Sequence, residues 1–152
     1  MPLVSDSYHN PKLELRPISP REVGVFARRP IRKGEVLTIS GGVVLPYEKV
    51  RALPQKLRRL CFHLEYGFYL VPPRGRKVAL AYYTNHSCAP NAGDGDGWYA
   101  LTLIALRRIR KDEEITCDYR TTVAAGNDRR YRPLLRFRCR CRARNCGGVI
   151  RA

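Results

Sequence analysis

Apolar residues recur along the chain mostly at every second position or in short runs, with turn-forming residues between the runs. Leu13-Glu14-Leu15-Arg16 alternates as a half-buried strand does, and Pro17 with Ser19-Pro20 then turns the chain. Residues 23–27 predict a second strand, with Gly24 where a backbone or a ligand approaches closely. A charged turn over 28–35 leads to a strand over 36–40, and Gly41-Gly42 marks a bend or bulge before 43–45. Helical spacing appears once: Tyr47, Val50, Leu53, Leu57 and Leu60 recur three and four apart, and Pro54 within them predicts two short pieces or a kink in place of one straight helix. Residues 62–71 are aromatic and β-prone, broken at Gly67. Residues 93–97 have the composition of a hairpin turn, 98–109 form the longest strand-like run, and 115–119 form another strand. Residues 120–132 read as a polar linker. Many short strands, frequent turns and little helix predict an irregular, mostly β domain.

One stretch stands apart from this pattern. Asn85-His86-Ser87-Cys88-Ala89-Pro90-Asn91 holds an imidazole, two amides, a hydroxyl and a thiol, with almost nothing to fill a core. Asn, Ser and Pro favour turns and local hydrogen bonds, so the segment is a poor helix and a poor strand. Following the apolar run at 78–83, it reads either as a site presented on a scaffold or as an ordinary surface turn.

Composition narrows the choice. A chain of 152 residues holds one domain with a real core, and 44% apolar residues argue against wholesale disorder. The 29 Lys and Arg against 13 acidic residues give a net charge of +16, which suits a polyanion or reflects an arginine-rich solvated surface. The first residues lack the basic start and apolar core of a secretory signal, and no run approaches the roughly 18 apolar residues of a membrane helix. The expectation is a soluble intracellular protein without a membrane partner, where cysteines more often bind metal or do chemistry than pair. Cys139-x-Cys141-x4-Cys146 supplies three thiols for a zinc ion that wants four ligands. The fourth would come from Cys88, Cys117, Cys61 or a histidine, and a local disulfide or reduced thiols are the competing readings. Tyr119 is a structural anchor or a hydrogen-bonding group in a site, and His86 is equally open.

The segment 85–91, followed by Glu113-Glu114-Ile115-Thr116-Cys117-Asp118-Tyr119, resembles the two signature blocks of the SET-domain protein lysine methyltransferases. Val23-Gly24-Val25-Phe26-Ala27 with Ile31-Arg32-Lys33-Gly34-Glu35 is similar to the family's opening block, and the cysteine tail to its post-SET segment. The resemblance implies a β-clip of small curved sheets with a C-terminal pseudoknot, one short helical region and a zinc-bound tail. It implies a SET domain over 13–120, a linker over 121–134 and a post-SET segment over 135–151. It also implies methyl transfer from S-adenosylmethionine to a protein lysine, on a histone or another chromatin protein. By position, Val23, Gly24, Val25, Asn85 and His86 would bind the cofactor, with Tyr82, Tyr83 and Tyr66 lining the pocket. Tyr119 would be the active-site tyrosine, and Cys88 would join Cys139, Cys141 and Cys146 on zinc.

Three departures from the family pattern stand out. Glu22 replaces a usual glycine, Tyr82 replaces an arginine, and Cys117 sits where many relatives carry Phe or Tyr and where product specificity is set. A small Cys there leaves room for products beyond monomethyl-lysine. A SET-like binding module without turnover, and a zinc-stabilised nucleic-acid binder, are the competing readings. The basic tail (Arg136, Arg138, Arg140, Arg142, Arg144) either bridges to DNA or a nucleosome, or forms the outward face of the zinc loop. Nucleus or chromatin is the expected location in a eukaryote, and cytoplasm otherwise.

Overall fold

A computed structural model describes residues 7–58, 60–73, 79–94, 101–122 and 136–151. Short strands dominate them, gathered into four small sheets. The first has the order β1 (Tyr8–His9), β4 (Val36–Ile39), β10 (Thr102–Ala105), β9 (Ala92–Asp94). The second runs β2 (Leu13–Ser19), β3 (Glu22–Ala27), β11 (Glu114–Cys117), β8 (Asn85–His86). A third joins β5 (Val43–Pro46), β7 (Phe68–Val71) and β6 (Phe62–His63), and the tail forms a hairpin of β12 (Arg136–Arg138) and β13 (Val149–Arg151). Every pair is antiparallel except β8 with β11. The architecture is mostly β, as expected, with short strands in small sheets.

The helical region consists of α1 (Tyr47–Arg51) and α2 (Gln55–Arg58), the two pieces expected from Pro54. The Pro54 carbonyl accepts the N–H groups of Leu57 and Arg58 at 2.9 and 3.0 Å, so the proline that ends one helix opens the next. Among the described residues no helix is long and apolar enough to cross a membrane.

Three boundaries differ from those read in the sequence, each for a physical reason. β2 runs through Pro17 to Ser19, with a register irregularity, and turns only at 20–21. It is an edge strand, where a missing N–H costs no ladder bond. Tyr119 does not end a strand: β11 stops at Cys117, and Tyr119 opens a one-turn helix, α3 (Tyr119–Thr122). In the described part of the run at 98–109 the strand covers Thr102–Ala105; the Leu106 N–H makes one more in-register bond, to the Asn91 carbonyl at 2.9 Å, and the chain then bends at 106–107. Residues 95–100, with the tip of that hairpin and Trp98, lie outside the described residues, as do 123–135 of the linker.

Two buried clusters hold the strands together. Val25, Ala27, Ile31, Leu37, Ile109 and Ile115, each no more than 1% exposed, form the centre of the larger one. Val50, Tyr69 and Val71 form the smaller. Tyr82 bridges toward the β5–β7–β6 sheet: its hydroxyl donates to the Gly41 carbonyl at 2.7 Å and its ring lies 5.0 Å from Phe62. Gly42 makes that approach possible, since a Cβ there would sit 2.5 Å from the Val71 carbonyl oxygen and 2.7 Å from the Tyr82 hydroxyl. Gly42→Ala is therefore expected to lower unfolding free energy by about 1–3 kcal/mol in urea titration. Unchanged stability would show that the two sheets yield at this contact.

Candidate functional site

The segment that looks like a poor strand in isolation becomes one by pairing. Asn85 and His86 lie parallel to Thr116 and Cys117, and the Ser87 N–H continues onto the Cys117 carbonyl at 3.0 Å. Tertiary pairing here overrides local preference. Asn91 clamps the other end of the loop: Nδ2 donates to the Glu114 carbonyl at 2.7 Å, and Oδ1 accepts the Thr116 N–H at 2.9 Å. At 2% exposure, this amide replaces a missing stretch of ladder.

Asn85 faces the open end of β3. Its Nδ2 donates to the Val23 carbonyl at 3.0 Å and to Glu114 Oε1 at 2.8 Å, while Oδ1 accepts no bond among the described residues. Gly24 lies under the same lattice: a Cβ there would be 2.6 Å from Glu114 Oε1 and 3.2 Å from Asn85 Nδ2. Val23, Gly24 and Asn85 therefore form one polar edge with an unused acceptor.

His86 turns inward, its side chain 3% exposed. Nδ1 accepts the Tyr119 N–H at 3.1 Å, which puts the neutral ring's proton on Nε2, 3.3 Å from Cys88 Sγ. Burial lowers the imidazole pKa, opposed by Asp118 and assisted by Arg120. The ring makes edge contacts with Tyr119 and Phe137 at centroid distances of 5.3 and 5.7 Å, and Tyr119 and Phe137 are 5.8 Å apart. The Tyr119 hydroxyl donates to the Thr84 carbonyl at 2.7 Å. Burial, then Cys117 and Glu114, raise its pKa, so it stays a neutral phenol near pH 7. Cys117, 3% exposed, is pushed up to about 12 by burial and by the charges of Asp94 and Asp118. Asp94 lies on the face of β9 that also carries the core residue Ala92. Its Oδ1 is buried without a hydrogen-bond partner among the described residues, and burial raises its pKa to about 6.

The thiols of Cys88, Cys139, Cys141 and Cys146 all lie within 4.8 Å of one another, and Cys88 and Cys139 are 3.9 Å apart. Tetrahedral zinc with Zn–S bonds of about 2.3 Å needs sulfurs about 3.8 Å apart, so the set fits zinc. No cysteine is disulfide-bonded. The tail wraps this centre through Arg142 and Gly148 at φ of +58° and +74°, and Asn145 Nδ2 donates to the Cys88 carbonyl at 2.8 Å. Burial opposes ionisation of Cys141, yet the N–H groups of Cys88 and Ala143 and the neighbouring thiols bring it down to about 6, which suits a thiolate ligand.

The sequence-read residues thus divide. Val23, Gly24, Asn85, His86, Cys117 and Tyr119 converge with the four thiols, and Tyr83 packs against the adjoining core. His86 spends both ring nitrogens inside the protein. Val25 is fully buried and paired on both sides. Tyr82 is spent on Gly41 and Phe62, while Tyr66 is 89% exposed on the β6–β7 turn. Sequence reading gave no role to Glu114, Asn91 or Phe137, and placed Asp94 in a turn. Phe137, the one ring in a tail of Arg and Cys, carried a signal, whereas Asp94 carried none.

Residues 22–120 match the family described as SET domain. A variant-silencing SET domain-containing protein of Plasmodium falciparum is 28% identical over 148 residues, covering 88% of this chain and 5% of that protein. Histone-lysine N-methyltransferase ash1 of Drosophila melanogaster is 31% identical over 136 residues, covering 84% and 6%. Human histone-lysine N-methyltransferase 2B is 25% identical over 134 residues, covering 81% and 4%. The chain therefore spans about one-twentieth of the length of these relatives.

The thiol geometry predicts one zinc per chain by elemental analysis, lost in Cys141→Ser. The Nε2–H to sulfur bond predicts that His86→Ala weakens zinc affinity about 10–100-fold in a chelator competition. Unchanged affinity would remove His86 from the metal's support.

Proposed function

Because the chain belongs to the SET-domain family, we propose that it is a protein-lysine N-methyltransferase using S-adenosylmethionine. The observation that carries this reading is the β8–β11 pair. It holds the Asn85 amide, the Thr84 carbonyl and the Tyr119 hydroxyl around one end of a parallel ladder. The relatives are named as histone-lysine methyltransferases, which supports a histone as the substrate class and chromatin as the place of action. Its positive surface suits the nucleic acid found there.

S-adenosylmethionine supplies an electrophilic methyl group on a cationic sulfur. The free Asn85 Oδ1 would accept from its ammonium, and the backbone of Val23, Gly24 and His86 would hold the rest. Tyr83 would form part of the pocket wall. Methyl transfer is an in-line displacement, so the protein's work is to aim a neutral lysine amine and exclude water. A nearby cation in a dry channel lowers the lysine pKa, and the proton leaves to solvent before transfer. The neutral Tyr119 phenol and the Thr84 carbonyl orient amine and methyl group without competing as nucleophiles. The Asp94 carboxylate gives that end of the site a negative charge for the incoming ammonium. Zinc would be structural, held by Cys88, Cys139, Cys141 and Cys146, and would fix Phe137 against His86 and Tyr119.

Incubation with tritiated donor and a whole-cell protein extract, followed by site mapping, tests the reading. Labelled lysines are expected, with Tyr119→Phe slowing transfer roughly tenfold or more, at least about 1.4 kcal/mol. No label at any lysine would leave a SET-like binding module instead. Cys117 is smaller than the Phe or Tyr to which its position corresponds in the family pattern, so di- or trimethyl-lysine is expected by mass spectrometry, and Cys117→Tyr should restrict the product to monomethyl-lysine. Asp94→Asn keeps the shape and removes the charge. It should raise KM for the protein severalfold and change kcat by about twofold or less.

A further inference from the structure

The largest property that methyl transfer leaves unused is the charge of +16. A histone-like substrate is itself basic, so this charge repels rather than recruits it. Two neighbouring loops carry eight of the 29 Lys and Arg. Residues 28–33 and 107–111 are clasped by Ile31 and Ile109, which exchange both backbone hydrogen bonds at 3.0 Å and are 1% and 0% exposed. Gly34 N–H to the Ala105 carbonyl, at 2.8 Å, and Ala105 N–H to the Glu35 carbonyl, at 3.0 Å, extend the clasp.

The acids nearby are already neutralised from within. Glu35 takes Lys12 at 2.7 Å and the Arg32 N–H at 2.8 Å. Glu113 takes Arg107 at 2.5 Å and the Arg110 N–H at 2.9 Å, and Asp112 takes Arg16 at 2.7 Å. Arg28, Arg29, Arg32 and Lys33 on one loop, with Arg108, Arg110 and Lys111 on the other, remain exposed and without an ion pair among the described residues. An open recess of about 520 Å³ lies between the loops, lined by Lys12, Pro30, Ile31, Arg32 and Arg108.

We infer that this clasped double loop is a docking surface for the phosphate backbone of duplex nucleic acid. Arginines dominate it, and their planar guanidinium groups bind phosphate oxygens through two bonds at once. The bridge fixes the loops before binding, which removes an ordering cost. Neither described loop carries an aromatic ring on which unpaired bases would stack. Leu106, 40% exposed, is the one large apolar side chain beside the loops, too little for an apolar face that enters a membrane. The edge lies at the Ala27 end of β3, while the Val23–Asn85 contact lies at the other, about 13 Å away at 3.3 Å per residue. A bound duplex would thus hold chromatin without covering the methyl-transfer site, and its phosphates would offset the repulsion of a basic substrate.

The test is fluorescence anisotropy of the intact zinc-loaded chain with a labelled 20-base-pair DNA duplex at several salt concentrations, with no methyl donor present. Wild type should bind with log affinity falling against log salt at a slope of about −4, as for four to five phosphates. Arg108→Ala/Arg110→Ala/Lys111→Ala should weaken binding about tenfold or more and flatten the slope by about 2. Arg140→Ala/Arg142→Ala/Arg144→Ala removes the same charge from the tail and should change binding by less than about threefold. Equal losses in the two triple variants would overturn the surface and leave only bulk charge. Tighter binding of the wild type to phosphatidylserine vesicles or to single strands would overturn the choice of partner. Tyr119→Phe should bind the duplex like wild type, so failure of methyl transfer and failure of docking read out separately.

Discussion

The arrangement depends on one short piece of backbone pairing, the parallel contact of Asn85–His86 with Thr116–Cys117. It joins segments about thirty positions apart, and each of its residues points a different group at the same place. Asn85 reaches β3, His86 reaches the Tyr119 backbone and the Cys88 sulfur, and Cys117 fills the core beneath Tyr119. Two strand residues cannot hold such a register alone. The Asn91 amide, bonded to β11 on both its polar atoms, supplies the remaining constraint.

That pairing also ties the C-terminal tail to the site. Cys88 follows His86 by two residues and brings one sulfur to three from the tail. Ile150 is the buried apolar residue of the described tail, and the cluster of its three thiols with Cys88 is the other contact that ties it to the domain. Once ordered, it places Phe137 edge-on to both His86 and Tyr119. The imidazole, with one nitrogen at the Cys88 sulfur and the other at the Tyr119 N–H, links the thiol cluster to the residue that opens α3.

Much of this was legible in the residues. Alternation found the strands, Pro54 split the helix, and the order of motif blocks gave the family and the convergence of Asn85, His86, Tyr119 and the four cysteines. What the residues hid was mostly non-local. Asn85-His86 reads as a turn because its strand partner is about thirty positions away. Pro17 reads as a turn because its place at a sheet edge is a property of the fold. Tyr82 and Tyr66, alike in sequence, differ because one reaches Gly41 in the interior and the other stands in solvent with a left-handed backbone at φ +56°. Asp94 sits among glycines that spell a turn, and only the sheet shows it facing Cys117.

The two ends of the β3–β11 pair differ in chemistry. A polar edge whose Asn85 Oδ1 accepts no bond among the described residues stands at one end and a clasped arginine edge at the other, and the four-thiol cluster adjoins the first. The central claim is that this metal-locked pairing makes the cofactor site. Calorimetric titration of S-adenosylmethionine into zinc-loaded and zinc-stripped chain tests it most directly. One donor bound per zinc-loaded chain and none by the stripped chain is the predicted result. Equal binding by both, or no binding by the loaded chain, would contradict it.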